Sequence, residues 1–278
     1  MTAPTSDNPV FFSKNYVDGS AEITVNTNQV AAYKLNDRDW IGRYYSVGLA
    51  DDDLPAIIKV LFYFNGALIP RTVSDIILQN TNLRVGKIEY LSLPTDDPAN
   101  WVTVSPDLGS GDYIENPFPA SDSNVALQRA ITPVNCYGIR VTINSTITPD
   151  QEKELGELLI LNRLLDLSTA FSVIEPVQNP VVLLNQTANG GLNPSLIKWA
   201  GARTTRWSCR LSVEYLTKAY KDDLMDVLTS GLFVIWPEPQ SNPGNFYLVT
   251  ASHEVIENPY TADWKGAGYT MDFEVRES

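Results

Sequence analysis

The segment Tyr137-Gly138-Ile139-Arg140-Val141-Thr142-Ile143 alternates apolar and polar side chains residue by residue. In an extended chain the apolar members share one face and the polar members share the other, so this pattern predicts a strand with one buried side. A short acidic insert and the apolar run Glu157-Leu158-Leu159-Ile160-Leu161 follow. Together the two runs predict the closing strands of an antiparallel β-domain that begins near Tyr33.

Earlier strand candidates are short and are separated by Asn, Gly, Pro and Asp residues that favour turns. These candidates are 57–64, 73–78, 86–91 and 101–104. Their spacing predicts a β-sandwich. The polar stretch 105–128 exceeds the usual length of a connection, which indicates a functional loop or a segment that covers a sheet edge.

The second half of the chain predicts further strands at 206–213, 232–236, 246–255 and 269–275, with one helix at 217–230. Thr217 is the expected N-cap and Gly231 the expected residue after the helix end. The predicted organisation is an N-terminal arm or strand (1–30), a jelly roll (31–165) and a β-rich domain (166–278). The arm either docks on a partner or forms a terminal strand of the same domain.

Composition excludes several classes of function. The 278 residues carry a net charge of −13 without a cluster of Lys and Arg, which argues against sequence-specific binding of nucleic acid. We find no leader and no apolar run long enough to span a membrane. Cys136 and Cys209 lie far apart in sequence, and His253 is the single histidine, so neither a disulfide framework nor a histidine-based catalytic site is expected.

Few residues suggest a ligand. Asp51 and Asp53 are candidate oxygen ligands for Ca²⁺, with a solvated acidic turn as the alternative. No other metal or cofactor motif is present in the sequence. The aromatic residues Trp40, Tyr44 and Tyr45 either stack on a sugar or anchor a protein interface, or they pack under the rim of the sandwich. Arg140, on the outward face of its strand, is expected to pair with a carboxylate of a neighbouring loop.

The order of elements in the first domain resembles the discoidin-type, galactose-binding-like jelly roll of coagulation-factor C domains and many carbohydrate-binding modules. The resemblance rests on 73–78 followed by Asn80, on 87–92 leading after a turn to 101–104, and on the closing pair 137–143 and 157–161. It implies a sandwich that displays ligand-binding loops. The bridging cysteines of secreted members are absent from this sequence.

The second domain looks like the C-terminal part of bacteriophage distal-tail and baseplate proteins. The similarity lies in the order of Trp199, the strand 206–213, the helix, the exit Trp236-Pro237-Glu238-Pro239, the strand 246–253 and a terminal strand. Such proteins form sixfold rings beneath the tail tube and join it to the hub or to receptor-binding proteins.

These resemblances imply a non-enzymatic structural protein of a phage tail tip, made in the host cytoplasm and assembled into the virion as a ring, most simply a hexamer, with tail-tube and hub proteins as partners. The candidate contact residues are Val10, Phe11, Phe12 and Trp236. The alternative function is a carbohydrate-binding module or cell-surface lectin that recognises carbohydrate on the host surface. An enzyme ranks third, because no pair of carboxylates stands out as catalytic.

Overall fold

The structure is a computed structural model that describes most of the chain. The described residues are 6–18, 21–37, 42–51, 53–104, 127–171, 173–180, 182–186, 192–196, 205–241, 246–259 and 269–277. They are mainly β, which confirms the predicted fold class.

The elements follow one another with short connections over much of the chain. The first strand is β1 (Val10–Phe12). The next are β2 (Ala21–Val25), β3 (Tyr44–Tyr45), β4 (Ala56–Phe64), β5 (Ala67–Leu68), β6 (Arg71–Thr81), β7 (Leu83–Leu91), β8 (Trp101–Thr103), β9 (Leu127–Cys136), β10 (Gly138–Thr146) and β11 (Glu154–Leu161). Two 3₁₀ helices cover Gln29–Leu35 and Pro98–Asn100.

The remaining elements begin at Arg163. They are β12 (Arg163–Asp166), β13 (Val173–Pro180), β14 (Val182–Gln186), β15 (Leu192–Leu196), β16 (Thr205–Leu216), α1 (Lys218–Thr229), β17 (Leu232–Trp236), β18 (Tyr247–Pro259) and β19 (Tyr269–Glu277).

The chain divides into two compact units. Of the described residues, 14–163 form unit 1, whereas 6–13 together with 164–277 form unit 2. Unit 1 is therefore inserted, in sequence, between the first strand of unit 2 and the rest of that unit. The predicted arm 1–30 is not one segment, because β1 belongs to unit 2 and β2 to unit 1.

Unit 1 is a β-sandwich built from two antiparallel sheets. One sheet has the order β2-β4-β10-β7-β8 with β5 beside β4, and the other has the order β3-β11-β6-β9. Their inner faces supply one apolar core, which includes Ile58 and Val60 of β4, Ile76 of β6, and Leu158 and Ile160 of β11. Burial of these side chains is the main force that holds the two sheets together.

Strand β10 shows the predicted alternation. Ile139, Val141 and Ile143 are at most 1% exposed, whereas Arg140 and Thr142 are partly exposed on the other face. Gly138 starts the strand where β4 comes very close, since a Cβ at this position would lie 2.6 Å from the carbonyl oxygen of Val60. A larger residue there would push the two strands apart.

The sequence did not predict β9, which forms one edge of the four-stranded sheet by pairing with β6. The strand contains Pro133, which cannot donate to a ladder and reads as a strand breaker. An edge position tolerates proline because only one side of the strand needs partners. Most of the predicted loop 105–128 lies outside the described residues.

Unit 2 contains a seven-stranded sheet with the order β12-β1-β17-β18-β19-β16-β13. Alternate residues of β16 and β19, such as Leu211 and Phe273, belong to the same buried apolar cluster as Leu224 of α1. The helix begins as predicted, because the hydroxyl of Thr217 accepts a hydrogen bond from the N–H of Tyr220 at 3.3 Å. Gly231 follows the helix with a φ of 96°, a conformation that favours glycine.

The N-terminal residues expected to contact a partner are instead part of this sheet. Val10, Phe11 and Phe12 pair with Trp236, Ile235 and Val234 of β17. All three are at most 2% exposed, and Trp236 is 1% exposed. The prediction that they form exposed contacts is wrong, because this short apolar run completes a sheet whose partner strand is remote in sequence.

We expect Phe11→Ala to destabilise unit 2 by about 3–5 kcal/mol, since the ring fills core space against Phe233. Each unit has one buried thiol that reports its unfolding. Cys209 lies in the core of unit 2 and Cys136 in the core of unit 1. Thiol labelling across a urea gradient should show earlier exposure of Cys209 with little change at Cys136. Phe64→Ala, at a side chain that is 58% exposed, is the control. Unchanged labelling of Cys209 would contradict the assignment of β1 to this core.

Candidate functional site

A groove of about 650 Å³ lies on the outer face of the larger sheet of unit 1. Strands β2, β4, β10 and β7 form its floor, and the loop before β8 forms one wall. The lining residues are Thr24, Val25, Asn26, Ile57, Lys59, Lys87, Glu89, Asp96, Pro98, Trp101, Arg140 and Thr142.

The strand register explains why these polar side chains meet. Arg140 of β10 lies directly opposite Lys59 on β4 and Glu89 on β7, and Thr142 lies opposite Ile57 and Lys87 in the same way. Directly paired residues point to the same face of a sheet. The side chains that alternate with the core residues therefore form two adjacent rows across the outer face.

Glu89 accepts hydrogen bonds from one cation of each row. Its Oε2 accepts from Nε and Nη2 of Arg140, both at 2.7 Å, and its Oε1 accepts from Nζ of Lys87 at 3.0 Å. Its side chain is only 8% exposed. The expected pairing of Arg140 therefore occurs, but with a carboxylate of a neighbouring strand and not of a loop. Two cations hold this carboxylate in one position.

The wall of the groove is the loop between β7 and β8. The loop closes where the backbone N–H and the hydroxyl of Ser92 both donate to the carbonyl of Asn100. It brings Asp96 over the sheet, where its carboxylate accepts from the ammonium of Lys59 and, at 3.0 Å, from the indole Nε1 of Trp101. The guanidinium of Arg140 lies 4.6 Å from the centre of the Trp101 ring.

These contacts set the ionisation of Asp96. Partial burial acts to raise its pKa, but the hydrogen bonds from Lys59 and Trp101 and the charges of Lys59 and Arg140 outweigh burial. The pKa of this carboxyl is therefore lowered from its ordinary value of 3.8. Asp96 is a fixed anion at neutral pH.

Of the three rim aromatics predicted as ligand contacts, the structure describes two, and these two differ in exposure. Tyr44 is 1% exposed, its hydroxyl donates to the carbonyl of Thr27 at 2.7 Å, and burial raises its pKa to about 12. Tyr44 is thus a core residue. Tyr45 is 39% exposed on the opposite side of the same strand, where Glu154 is its cross-strand partner. Trp40 lies outside the described residues. Neither Tyr44 nor Tyr45 lines the groove.

The acidic turn predicted to bind calcium surrounds a cation of the protein itself. The ammonium of Lys153 donates to the carbonyl oxygens of Leu49, Asp51 and Leu54 at 2.5, 2.7 and 3.0 Å. Lys153 is only 1% exposed, and its backbone pairs with Ser46 at the start of the same loop. The loop is therefore held in part by a charged side chain of the protein itself.

The carboxylate of Asp51 serves the turn locally. Its Oδ1 accepts from the backbone N–H of Asp53 at 2.8 Å, and both residues are exposed. Over the described ranges, no group of three or more His, Cys, Asp or Glu side chains is arranged to hold a metal ion. The binding of Ca²⁺ at Asp51 and Asp53 stays a prediction.

Both cysteines lie in apolar cores. Burial raises the pKa of Cys136 to about 12, so this thiol is not an activated nucleophile. Within the described parts of the chain, no helix is long and apolar enough to cross a membrane.

Sequence reasoning missed Lys59, Glu89, Trp101 and Lys153 as site residues. The alternation in 57–64 and 86–91 carried a signal for Lys59 and Glu89, because both fall on the outward face of predicted strands. The position of Lys153 carried no such signal, since its partners are backbone oxygens about a hundred residues away. A backbone carbonyl has no sequence signature.

No family model matches the chain, and no curated protein matches its sequence. Solved structures with a similar fold include the family 32 carbohydrate-binding module of Clostridium perfringens NanJ, in complex with galactose, at 12% identity and a TM-score of 0.40; the match covers 54% of this chain and 98% of that one. A chitosan-binding module from a Paenibacillus chitosanase/glucanase shows 17% identity and a TM-score of 0.39 over 54% of this chain and 99% of that chain. A structure of the Streptococcus pneumoniae β-galactosidase BgaA shows 15% identity and a TM-score of 0.39 over 52% and 98%.

Lys153→Met should destabilise unit 1 on the order of 3 kcal/mol, because three backbone carbonyl oxygens lose a charged donor. The expected result in a urea gradient is earlier labelling of Cys136, with Cys209 unchanged. Lys14→Met, at an exposed position of unit 1, is the matched control. Equal stability of the two variants would show that the ammonium does not hold the loop.

Asp96→Asn should lower the stability of unit 1 at pH 7, and this effect should shrink as the pH falls below 3.8. A carboxyl whose pKa is lowered by folding contributes stability above its ordinary pKa of 3.8, and this contribution is lost as the pH falls through the lower folded value. The gap between wild type and variant in urea unfolding, followed by tryptophan fluorescence, should therefore close on acidification. Asp97→Asn is the control, since an Asn side chain also caps the 3₁₀ helix. A gap that is independent of pH would contradict the role of the charge.

Proposed function

We propose that unit 1 is a carbohydrate-binding module and that the groove beside Trp101 is its ligand site. The observation that carries the proposal is a concave surface lined by charged, hydroxyl and aromatic side chains on the outside of a complete apolar core. A sugar offers many hydroxyl groups to such side chains. Trp101 is only 8% exposed and its ring lies against Arg140, so it supports the wall of the groove. The proposal takes up the lectin function expected from the resemblance of the first domain.

The side chains of the groove are held in place before any ligand binds. Arg140 is fixed by Glu89 on one side and by the Trp101 ring on the other, and Lys59 is fixed by Asp96. Side chains that are already ordered lose little rotamer entropy when a ligand binds. This lower cost raises the affinity for a polar ligand such as a sugar. The two floor rows lie on strands, so the spacing between the binding groups is set by the sheet.

We propose binding without catalysis. Glycoside hydrolysis needs a carboxylic acid whose pKa is raised, so that it can donate a proton to the leaving oxygen. Asp96 has its pKa lowered, and Glu89 accepts hydrogen bonds on both oxygens from cations. Neither carboxylate has the environment that an acid catalyst requires.

The role in a phage tail tip stays a prediction from sequence. A hexameric ring, contacts with tube and hub proteins, and a place in the virion are part of it. The contacts first expected, through Val10, Phe11, Phe12 and Trp236, are removed because these side chains are buried within unit 2. Any ring would therefore form through other surfaces. Such a role is compatible with carbohydrate binding, because unit 1 is inserted into unit 2 as a separate compact body.

Thr142→Trp should lower the affinity of the full chain for its glycans at least about tenfold, because the larger side chain fills the floor of the groove. A glycan array identifies the ligands of the wild-type chain, and calorimetric titration of the strongest one compares the variants.

Thr103→Trp is the matched control for this experiment. Thr103 of β8 is the cross-strand partner of Glu89 and lies on the same outer face. It is exposed and does not line the groove. Binding should be kept in Thr103→Trp and lost in Thr142→Trp. A blank array for the wild-type chain, or equal binding by both variants, would refute the groove as a carbohydrate site.

A further inference from the structure

We infer that the ligand of this groove is an acidic carbohydrate, whose carboxylate or sulfate lies against Lys59 and Lys87. The inference rests on the proposed function and narrows it to a class of ligand. It follows from the balance of charges and of hydrogen-bond donors in the groove.

The groove has more positive than negative side chains, although the protein as a whole is acidic. Its charged lining residues are Lys59, Lys87 and Arg140 against Glu89 and Asp96. The chain has a net charge of −13. A local excess of cationic side chains is a departure from the average charge of this protein, and it occurs in the groove.

The acceptors of the groove are already in use. Oε1 and Oε2 of Glu89 accept from Lys87 and Arg140, and both oxygens of Asp96 accept from Trp101 and Lys59. Each of the four carboxylate oxygens therefore has a donor from a cation or an indole. A ligand that needs strong acceptors from the protein finds few of them here.

Donors remain. An ammonium carries three N–H groups, and in the contacts described Lys59 uses one for Asp96 and Lys87 uses one for Glu89. The side chains of these lysines are 28% and 34% exposed, so their remaining N–H groups are within reach of a ligand in the groove. A site with surplus charged donors binds an acceptor-rich anion more strongly than a neutral group.

The register also places the two ammonium-bearing residues around one point of the floor. Lys59 and Lys87 flank β10 from opposite sides, in the rows of Arg140 and Thr142 respectively. Arg140 and Thr142 of β10 lie between them, and Thr142 has the smaller side chain. We expect an acidic group over this part of β10 to meet Lys59 from β4 and Lys87 from β7.

The test uses a glycan array with matched pairs, in which each neutral glycan stands beside its uronic-acid or sulfated counterpart, followed by titration of the strongest pair with the full chain. We expect the acidic member to bind about tenfold more tightly, and its affinity to fall with added salt. Lys87→Gln should remove this preference, whereas Lys87→Arg should keep most of it. Lys14→Gln, which makes the same change of charge at an exposed position outside the groove, should leave it unaltered.

The outcomes separate the inference from the function on which it rests. If both members of the pairs bind equally and Thr142→Trp abolishes binding, the groove is a carbohydrate site but the inference of an acidic ligand is wrong. If Lys14→Gln weakens binding as much as Lys87→Gln, the preference is a general effect of charge and the inference also fails. If neither member of any pair binds, the proposed function itself is refuted.

Discussion

The alternation of side chains along β10 is the constraint on which both the core and the groove depend. Ile139, Val141 and Ile143 complete the apolar core, and the residues between them, Arg140 and Thr142, stand on the floor of the groove. A shift of one residue in the pairing of this strand would exchange the two faces. The burial that stabilises the sandwich therefore also fixes which side chains are presented outside it.

Within the groove the ion pairs serve position more than stability. Burial of the Glu89 carboxylate carries a desolvation cost of several kcal/mol for a fully buried ion, which Arg140 and Lys87 offset. Pairs as exposed as that of Lys59 with Asp96 contribute roughly 0–1 kcal/mol. The net gain in stability is small, but five charged side chains are left with defined positions. A binding surface benefits from that order more than a core does.

The sequence predicted what depends on local periodicity and missed what depends on distant partners. The strands of β10 and β19 and the helix capped by Thr217 follow from patterns within a few residues. The place of Phe11 does not, because the strand that pairs with β1 lies more than two hundred residues away. The contacts of the Lys153 ammonium cannot be predicted either, because its partners are backbone carbonyl oxygens, which every residue has. Residue type alone predicts Tyr44 and Tyr45 equally as ligand contacts, but it does not show that Tyr44 is buried and Tyr45 exposed.

The sequence predicts two consecutive domains, whereas unit 1 interrupts the sequence of unit 2 after β1. The two ends of unit 1 meet, because the N–H of Tyr16 donates to the carbonyl of Ile160 at 3.0 Å and the side chain of Asn15 bonds to the backbone of Leu158 and Ile160. In unit 2, β1 and β12 are neighbouring strands, so the chain leaves and re-enters that sheet at adjacent positions. A domain whose ends lie close together can be inserted between two adjacent strands without separating them. The arrangement lets the outer face of unit 1 change its ligand chemistry while the sheet of unit 2 keeps its own pairing.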